Sequence, residues 1–542
     1  MVDHWADKVV EEIKRKVEHD PQLKERVKKT GYYVYDEKTP SGKIHIGSGR
    51  GWIISDVVAK ALRDAGLKAK FVLSSDDHDP YDKPNKELDS SWDKYLGMSF
   101  RDIPSPVKGH KSFGDYYFSL VTDKFKEYGI ECELESTGEE YEKGIFNDAI
   151  KIVLDNSDKI KKIYSDMYGD DAVGANRWPF NIKCKKCGKI ATTNVTGWDG
   201  KEVEYECGDV VKWAKGCGHK GKRSPYNGNG KMPWKVEWPA KWFAKKVIIE
   251  YAGKDHFSAM GARDFGVKVA DQVFDFTPPY PSTRKKSGKG YEFFHVGGHK
   301  MSTSKGFGVG FAEITENIPA KILRYLLIKS RPGSVIDFDP FKDNDLILLF
   351  DRYDKMERIY FGVDKVSEDE TRKQKRMYEL AYVGALPKKI PVQVPFTYAA
   401  TTLQIALDED VAISMLQESG HVPQKLNKVQ VEQVKERLRT AKNWVDTFAS
   451  EQYKFTLVDK VKIKLKANEK KAISAIVNKV GIDAKELHEA IYAISKNESI
   501  EPKDFFKLFY NALIGKDRGP RLASFLTTIG KERLDKMFKG VL

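Results

Sequence analysis

A succession of strand, loop, helix and strand over residues 32–74 constrains the fold more than any other feature of the chain. Tyr32–Tyr35 has the composition of a short buried strand, and Lys70–Ser74 has that of a second one. Between them, the stretch from about Arg50 to Ala65 predicts a helix, because its apolar residues recur on one face at helical spacing: Ile54, Val57, Val58, Ala61 and Leu62. This order predicts the first half of a doubly wound parallel sheet that binds a nucleotide.

The sheet pattern stops near residue 80 and resumes far downstream. Val247–Tyr251 is predicted to be a buried strand that runs directly into Gly253-Lys254-Asp255-His256. Tyr291–Val296 is predicted to be a further strand, and it leads to the loop Lys300-Met301-Ser302-Thr303-Ser304-Lys305-Gly306. The interval reads as an insertion between two halves of one sheet, and from about residue 345 amphipathic helices replace the strand signals. We therefore expect an α/β, split Rossmann catalytic domain with an insertion and an all-α C-terminal domain.

The composition of the 542-residue chain bounds its domain count and its partners. A chain of this length is expected to hold about two to four domains. Its net charge of +14 favours a polyanionic partner, above all nucleic acid. No apolar run approaches the length of a membrane span, and the polar N-terminus does not resemble a secretory signal. We therefore expect a cytoplasmic protein with no membrane partner.

Four of the five cysteines lie within one segment of the expected insertion, and their spacing indicates a metal site. Cys184 and Cys187 form a Cys-x2-Cys pair, and Cys207 and Cys217 follow. Such a set suits tetrahedral Zn²⁺ in a reducing compartment better than a disulfide framework. Nine residues separate the last two cysteines, and we prefer Cys217 as the fourth ligand. A zinc ion held here is expected to be structural.

Two further segments have the chemistry of a phosphate site. His45 and Gly47 lie where a loop enters the predicted helix, and a helix N-terminus presents unpaired N–H groups and a partial positive charge. Far downstream, the loop that begins at Lys300 places two ammonium groups and three hydroxyls before a glycine. Either segment alone also fits an inert surface loop or a structural histidine. Their combination with strands in this order favours a site that binds a polyphosphate.

These segments resemble the signature motifs of a known enzyme class. His45-Ile46-Gly47-Ser48 resembles the HIGH motif, and Lys300-Met301-Ser302-Thr303-Ser304 resembles the KMSKS motif, of class I aminoacyl-tRNA synthetases. A closer resemblance, to class I (archaeal-type) lysyl-tRNA synthetase, covers nearly the whole chain. It rests on Ser75-Asp76-Asp77, Trp234-Lys235-Val236-Glu237-Trp238-Pro239, Ala252-Gly253-Lys254-Asp255-His256 and the C-terminal stretch 515–522.

The resemblance implies a reaction and a set of residues that perform it. The enzyme would join L-lysine to ATP as lysyl-adenylate, release pyrophosphate and transfer lysine to the 3′ end of tRNA-Lys, acting as a monomer with Mg²⁺ bound to the ATP. The catalytic residues that it implies are His45, Gly47, Ser48, Lys300, Ser302, Ser304 and Lys305. The residues implied for ATP are Gly47, Gly253, Asp255, Lys300 and Met301, and those for lysine are Thr39, Asp76, Asp77, Trp234, His256 and Tyr291.

The resemblance also assigns roles to the parts of the chain. Residues 1–100 and 233–344 would form the two halves of the catalytic domain. Residues 101–232 would form an insertion that contains zinc and guides the acceptor end of the tRNA. His219 matches the position of a zinc ligand in some relatives, so the resemblance leaves it open as the alternative to Cys217. Residues 345–542 would form an α-helical domain that binds the anticodon.

The sequence departs from the family motifs at two positions. Ser48 stands in place of the last histidine of HIGH, and Thr303 stands in place of the inner lysine of KMSKS. Both changes remove a potential cation near the phosphates, and Lys305 could supply one of them. The departures leave the implied reaction class intact.

Two matters stay open at this point. The ammonium of a bound lysine needs a carboxylate, and Asp76, Asp77 and Glu37 are candidates, although Asp76 and Asp77 equally fit a turn that caps a helix. Competing functions are a glutamyl or arginyl ligase of the same class, a nucleotidyltransferase without an RNA substrate, and a tRNA-binding protein without catalysis. The acidic segment before Pro40 disfavours a glutamate pocket, which would need a cation for the substrate side chain.

Overall fold

The structure is a computed structural model that describes residues 3–281, 290–292, 294–300, 310–339, 343–451 and 453–542. Two helices, α1 (Trp5–His19) and α2 (Pro21–Thr30), precede strand β1 (Tyr32–Lys38), helix α3 (Ile46–Asp64) and strand β2 (Ala69–Ser75). The succession predicted over residues 32–74 is therefore present. The elements that follow are α4 (Phe113–Thr122), α5 (Phe125–Tyr128), β3 (Glu133–Ser136), α6 (Thr137–Glu142), α7 (Asn147–Asp155), α8 (Ser157–Tyr168), β4 (Asn181–Ile182), β5 (Thr193–Trp198), β6 (Val203–Cys207), β7 (Lys220–Arg223) and β8 (Gly230–Lys231).

The second half of the chain is mostly helical. After α9 (Trp234–Lys245) and α10 (Ala262–Gln272) come three short strands and one helix: β9 (Phe294–Val296), β10 (His299–Lys300), α11 (Ala320–Ile328) and β11 (Ile336–Asp337). The rest is a series of helices: α12 (Asp343–Tyr360), α13 (Glu368–Ala381), α14 (Phe396–Ala406), α15 (Glu409–Glu418), α16 (Lys428–Thr447), α17 (Ala467–Val477), α18 (Ala484–Asn497), α19 (Pro502–Ile514), α20 (Leu522–Ile529) and α21 (Lys531–Phe538).

The central sheet is parallel, and its strand order reverses beside β1. The strand β2 pairs with β1 on one side and with β3 on the other. On the far side of β1, Val34 forms a parallel bridge with Ile249, which forms another with Tyr280. The predicted strand at 247–251 is thus present as single bridges. Ligands of such sheets bind at the carboxyl ends of the strands where the order reverses, which here is between β1 and Ile249.

The helix α3 is buried over most of its length. Apolar residues pack around it, and it also buries two charges. The Arg50 guanidinium donates to the carbonyl oxygens of Glu292, Arg331 and Ser334, and Asp56 pairs with Arg324 at 2.6 Å. The helix begins at Ile46, four residues before the start expected from the apolar pattern. The difference arises because Gly47, Ser48 and Gly49 contribute no apolar side chain to that pattern.

The chain divides into two compact units. The first comprises Met1–Glu316, Leu323–Asp337 and Arg376–Ala385, and the second comprises Asn317–Ile322, Phe338–Lys375 and Leu386–Leu542. The second unit is built from helices around its own apolar core. Trp444 is fully buried in that unit against Phe396 and Tyr453, so it serves as core and not as an exposed stacking surface.

Candidate active site

The HIGH-like segment forms the N-terminus of α3. His45 is the residue before the first helical residue, and Gly47 and Ser48 lie in the first turn. A Cβ on Gly47 would lie 2.8 Å from Nδ1 of His45, so glycine allows the imidazole to lie over that turn. The His45 side chain makes no capping hydrogen bond to the helix. The first turn therefore directs its backbone N–H groups toward the carboxyl end of the sheet, where they suit an anion.

Lys300, which begins the KMSKS-like segment, and Gly310, which lies beyond it, are fixed by backbone contacts. Lys300 pairs with His295 in the antiparallel ladder of β9 and β10. Gly310 forms a bridge with His45, and the N–H of Phe311 donates to the carbonyl of Ile44 at 2.9 Å. Met301, Ser302, Ser304 and Lys305 lie outside the described residues. The chain that leaves this segment thus contacts the start of α3 directly.

Phe311 explains a second glycine of α3. A Cβ on Gly49 would overlap the ring of Phe311, so only glycine lets the two segments approach this closely. The ring of Phe311 also packs against Trp52 of α3, with centroids 5.2 Å apart. This packing holds the chain at Phe311 beside the HIGH-like turn.

Tyr291 joins the segment Gly253-Lys254-Asp255-His256 to α3. It forms a parallel bridge with Gly253, and the N–H of Lys254 donates to the Tyr291 carbonyl at 3.0 Å. On its other side, a Cβ on Gly51 would lie 2.9 Å from the Tyr291 hydroxyl oxygen. Asp255 follows in a short 3-10 helix, Lys254–Phe257. Gly253, Asp255 and Tyr291 therefore lie together beside α3, and burial raises the pKa of the Tyr291 phenol above its usual range.

Trp234 and His256 form an aromatic corner at the start of α9. Trp234 is the first residue of that helix, and its side chain is 50% exposed. The His256 ring lies 6.0 Å from the Trp234 ring and 5.4 Å from that of Trp238, nearly perpendicular to both. Burial lowers the pKa of His256, so the imidazole is neutral at pH 7. An exposed tryptophan beside a neutral imidazole is an apolar and electron-rich surface that suits an alkylammonium.

The predicted carboxylates Asp76 and Asp77 have partners within the protein. Asp76 pairs with the Lys241 ammonium and accepts a hydrogen bond from the Thr137 hydroxyl. Asp77 accepts from the Ser136 hydroxyl at 2.6 Å and from the N–H of Gly138 at 2.8 Å. Asp77 thus supports the first turn of α6. This is the helix-capping arrangement that the sequence left open.

Thr39 belongs to a buried ionic network that sequence reasoning missed. Its hydroxyl donates to Asp79 at 2.8 Å. The ammonium of Lys231 pairs with Asp79 and, at 3.0 Å, with Glu237. Lys241 contacts Glu237 as well, and this i,i+4 pair on α9 was the one local signal of the network. The network links Thr39 to the helix that carries Trp234.

Glu37 is also part of this network. Its Oε2 atom accepts from the Lys241 ammonium at 2.8 Å, on the face of β1 that packs against α9. Lys241 itself is fully buried. Glu37 and Asp76, two of the three carboxylates considered for the substrate, therefore share a resident lysine.

The four cysteines of the insertion come together. Their Sγ atoms all lie within 4.8 Å of one another, with 3.6 Å between Cys184 and Cys217 and 3.7 Å between Cys187 and Cys207. Four thiolates about 2.3 Å from a central Zn²⁺ would be about 3.8 Å apart in tetrahedral geometry, so the cluster fits this ion. His219 is not in the cluster, and its ring lies 5.9 Å from that of Tyr205.

Comparison with known families completes the description of the site. The sequence model of the family described as tRNA synthetases class I (K) matches residues 3–384. The chain belongs to this family. A second model, described as an anticodon-binding domain, matches residues 402–536. The parallel sheet and the helical C-terminal region are thus those of a class I synthetase fold.

Similar proteins match this class I (K) synthetase over nearly its whole length. A protein named lysine–tRNA ligase from Thermococcus kodakarensis is 34% identical over 552 residues, which is 99% of both chains. The protein of the same name from Picrophilus torridus is 33% identical over 507 residues, covering 93% of this chain and 95% of the relative. One from Methanocaldococcus jannaschii is 32% identical and covers 98% of both chains.

No helix in the described part of the synthetase could cross a membrane. Among the residues that the structure describes, none of the helices combines the necessary length with the necessary hydropathy. The helix α3 is apolar and long, but it is buried by the rest of the first unit.

Proposed function

We propose that this class I (K) synthetase is a lysine–tRNA ligase. It activates L-lysine with ATP to form lysyl-adenylate and pyrophosphate, and then transfers lysine to the 3′ end of tRNA-Lys. The observation that carries the proposal is the match at 32–34% identity to relatives of that name over nearly the full length of both chains. The backbone bridge between His45 and Gly310 supports it, because it joins the HIGH-like turn to the chain that follows the KMSKS-like segment.

The residues of these two segments would handle the triphosphate. The oxygen of the lysine carboxylate attacks the α-phosphorus, and pyrophosphate leaves with the bonding electrons. His45, the backbone N–H of Gly47 and the hydroxyl of Ser48 would stabilise the charge that develops on the α-phosphoryl group. Lys300 and Lys305, with Ser302, Ser304 and the Met301 backbone, would hold the departing pyrophosphate. Mg²⁺ would enter as part of the ATP substrate, and Gly253 and Asp255 would address its ribose.

The aromatic corner would receive the substrate side chain. Trp234, His256 and Tyr291 offer apolar and electron-rich surface to the methylene chain and its ammonium. Thr39 and Asp76 would contribute through the buried network, which carries excess carboxylate over ammonium. Asp77 is better assigned to the support of α6.

The cysteine cluster would hold a structural Zn²⁺. Cys184, Cys187, Cys207 and Cys217 would fill all four positions, which leaves no open one for catalysis. We expect about one zinc per chain by metal analysis of the purified protein, with Cys217→Ser losing it and His219→Ala retaining it. Zinc retained by Cys217→Ser and lost by His219→Ala would reverse the assignment of the fourth ligand. The helical region matched over 402–536 would bind the anticodon.

Aminoacylation of total tRNA by the full-length protein tests the function. Charging with lysine, and not with arginine or glutamate, is expected. Charging with either of the other amino acids, or none with all three, would overturn the proposal. In ATP–pyrophosphate exchange, Lys300→Ala should lower kcat by about 10²- to 10³-fold with little change in the KM for lysine. Lys28→Ala, an exposed lysine of α2, is the matched control.

A further inference from the structure

The end of β1 presents charged side chains on two opposite faces. Successive side chains of a strand point to opposite sides. Glu37 points toward α9, where it meets the Lys241 ammonium at 2.8 Å. Asp36 and Lys38, its neighbours in the strand, therefore point to the other side. Both residues lie at the carboxyl end of β1, the strand beside which the strand order reverses.

Asp36 is a buried carboxylate with an unused oxygen. Its side chain belongs to a residue that is 9% exposed. Oδ1 accepts the N–H of Glu37 at 2.8 Å, and the buried Oδ2 has no hydrogen-bond partner among the described residues. Burial, and then the nearby charge of Glu250, raise the pKa of Asp36 well above its usual value. Such a group is costly to bury unless a cation joins it.

Lys38 is a cation without a contacting anion. It is partly buried, and among the described residues no carboxylate lies within the 4.0 Å of an ion pair with its ammonium. Burial lowers its pKa, while Asp36 and Asp76 act in the opposite direction from a greater distance. Residues i and i+2 of a strand are about 6.6 Å apart, so an anion and a cation stand side by side on one face without pairing.

Both groups act on residues of the candidate site. Burial raises the pKa of the Tyr291 phenol most. The charges of Asp36 and Asp255 raise this pKa further, and that of Arg50 lowers it. Burial lowers the pKa of the His256 imidazole most. The charge of Asp255 raises this pKa, and that of Lys38 lowers it. Tyr291 and Asp255 lie beside α3, and His256 lies beside Trp234. The unpaired charges therefore face the same region as the residues assigned to ATP and to the substrate side chain.

We propose that Asp36 binds the α-ammonium, and Lys38 the α-carboxylate, of the amino acid substrate. The inference rests on the proposed function. A zwitterionic head group offers one charge of each sign at short separation, so it complements both unpaired groups and leaves the site neutral. One carboxylate oxygen contacts Lys38, and the other stays directed at the α-phosphorus. Asp36 and Lys38 contact only the head group of the substrate. Its side chain is therefore still recognised by the aromatic corner.

Three probes separate the two contacts. L-Lysine carries both head-group charges, 6-aminohexanoic acid lacks the α-ammonium, and L-lysinamide lacks the carboxylate. Asp36→Asn should weaken L-lysine and L-lysinamide on the order of 100-fold and leave 6-aminohexanoic acid unchanged. Lys38→Met should weaken L-lysine and 6-aminohexanoic acid by a similar factor and leave L-lysinamide unchanged. Binding of L-lysine is measured by its KM in ATP–pyrophosphate exchange and that of the two analogues by inhibition of this exchange. Titration calorimetry on the full-length protein measures all three.

In this crossed pattern, each variant weakens two probes and leaves a different third probe unchanged. A merely structural role would not produce it. Equal loss for all three probes, or no loss, would overturn the proposal. A rise in the KM for ATP alone in Lys38→Met would assign Lys38 to phosphate instead. Asp36→Ser and Lys38→Gln repeat the test if a first variant folds poorly. Glu133→Gln, an exposed carboxylate of the same sheet, is the matched control.

The test also stands apart from the choice of amino acid. If the wild-type protein activates another amino acid and not lysine, the proposed function fails. The amide and the des-amino form of that other substrate then replace the two lysine analogues. The crossed pattern with those probes would still support the assignment of Asp36 and Lys38, and its absence would still overturn it.

Discussion

The two sides of the carboxyl end of strand β1 differ in whether their buried charges are paired. On the α9 side of β1, Glu37 and Asp76 meet the ammonium of Lys241, and Glu237 joins them. On the other side, Asp36 keeps a buried oxygen without a partner and Lys38 contacts no carboxylate of the described residues. On the first face the charges are paired within the chain. The second face is complete only with a ligand, and its charges serve binding.

Removal of the resident cation is the strongest way to break this comparison. Lys241→Met leaves three carboxylates around an apolar side chain in a fully buried place. Loss of one partner from a buried ion pair costs about 3–5 kcal/mol, so we expect a loss of this size in the free energy of unfolding. Urea denaturation followed by circular dichroism measures it. Lys241→Arg, which keeps a cation, should lose less, and a Met variant within about 1 kcal/mol of wild type would contradict the resident-cation role.

Much of the fold could be predicted because its signals are local. The apolar spacing of residues 54–62 predicts α3, and the Cys-x2-Cys pair at 184 and 187 predicts the cluster that the structure contains. The exact start of α3 could not be predicted from the same pattern, since the glycines of its first turn carry no apolar signal.

The division of charge at the end of β1 has no local signal. In the sequence, Asp36-Glu37-Lys38 is simply a run of charged residues. Lys241, the partner of Glu37, lies 204 residues away, and it lies 165 residues from Asp76. Only the strand alternation and the packing of α9 decide which carboxylate meets that lysine. A contact of this kind requires the three-dimensional structure.

His4 is a third kind of buried ionisable group, because it is buried in its neutral form. Nδ1 of His4 accepts the N–H of Ala6, so Nε2 donates to the Ile328 carbonyl. A second proton would cost the Nδ1 contact, and burial lowers the pKa of His4 to about 4. Between pH 6.5 and about 4, the His4 imidazole is protonated in the unfolded chain but not in the folded chain. Stability therefore rises with pH through this window and is lost as the pH falls.

His4→Asn measures this contribution. Asparagine at the helix N-cap can accept the same N–H but does not titrate. Between pH 7 and pH 5, wild type should lose about 2 kcal/mol more unfolding free energy than the variant does. His19→Asn, at the exposed end of α1, is the control. Parallel pH curves for wild type and His4→Asn would show that the imidazole is not held neutral.

Asp77 tests whether a carboxylate with two internal donors is architectural. Asp77→Ala removes the acceptor of the Ser136 hydroxyl and of the Gly138 N–H. Hydrogen bonds to a charged group are worth about 1.5–3 kcal/mol, and we expect the free energy of unfolding to fall by that amount. The KM for lysine in pyrophosphate exchange should change little. A large rise in that KM without a loss of stability would return Asp77 to the substrate site.

The smallest expected effect has the opposite sign. Asp36→Asn replaces a buried carboxyl group that contacts no cation among the described residues, so the folded protein no longer bears the cost of burying its charge. We expect the free energy of unfolding to rise by about 1 kcal/mol, as judged by urea denaturation without substrate. Glu37→Gln, the adjacent residue on the paired face, should lower it. Two neighbouring carboxylates whose neutralisation shifts stability in opposite directions would establish that one is held by the protein and the other is held for a ligand. A loss of stability in both variants would mean that Asp36 has a partner within the chain, and the open face would then need another explanation.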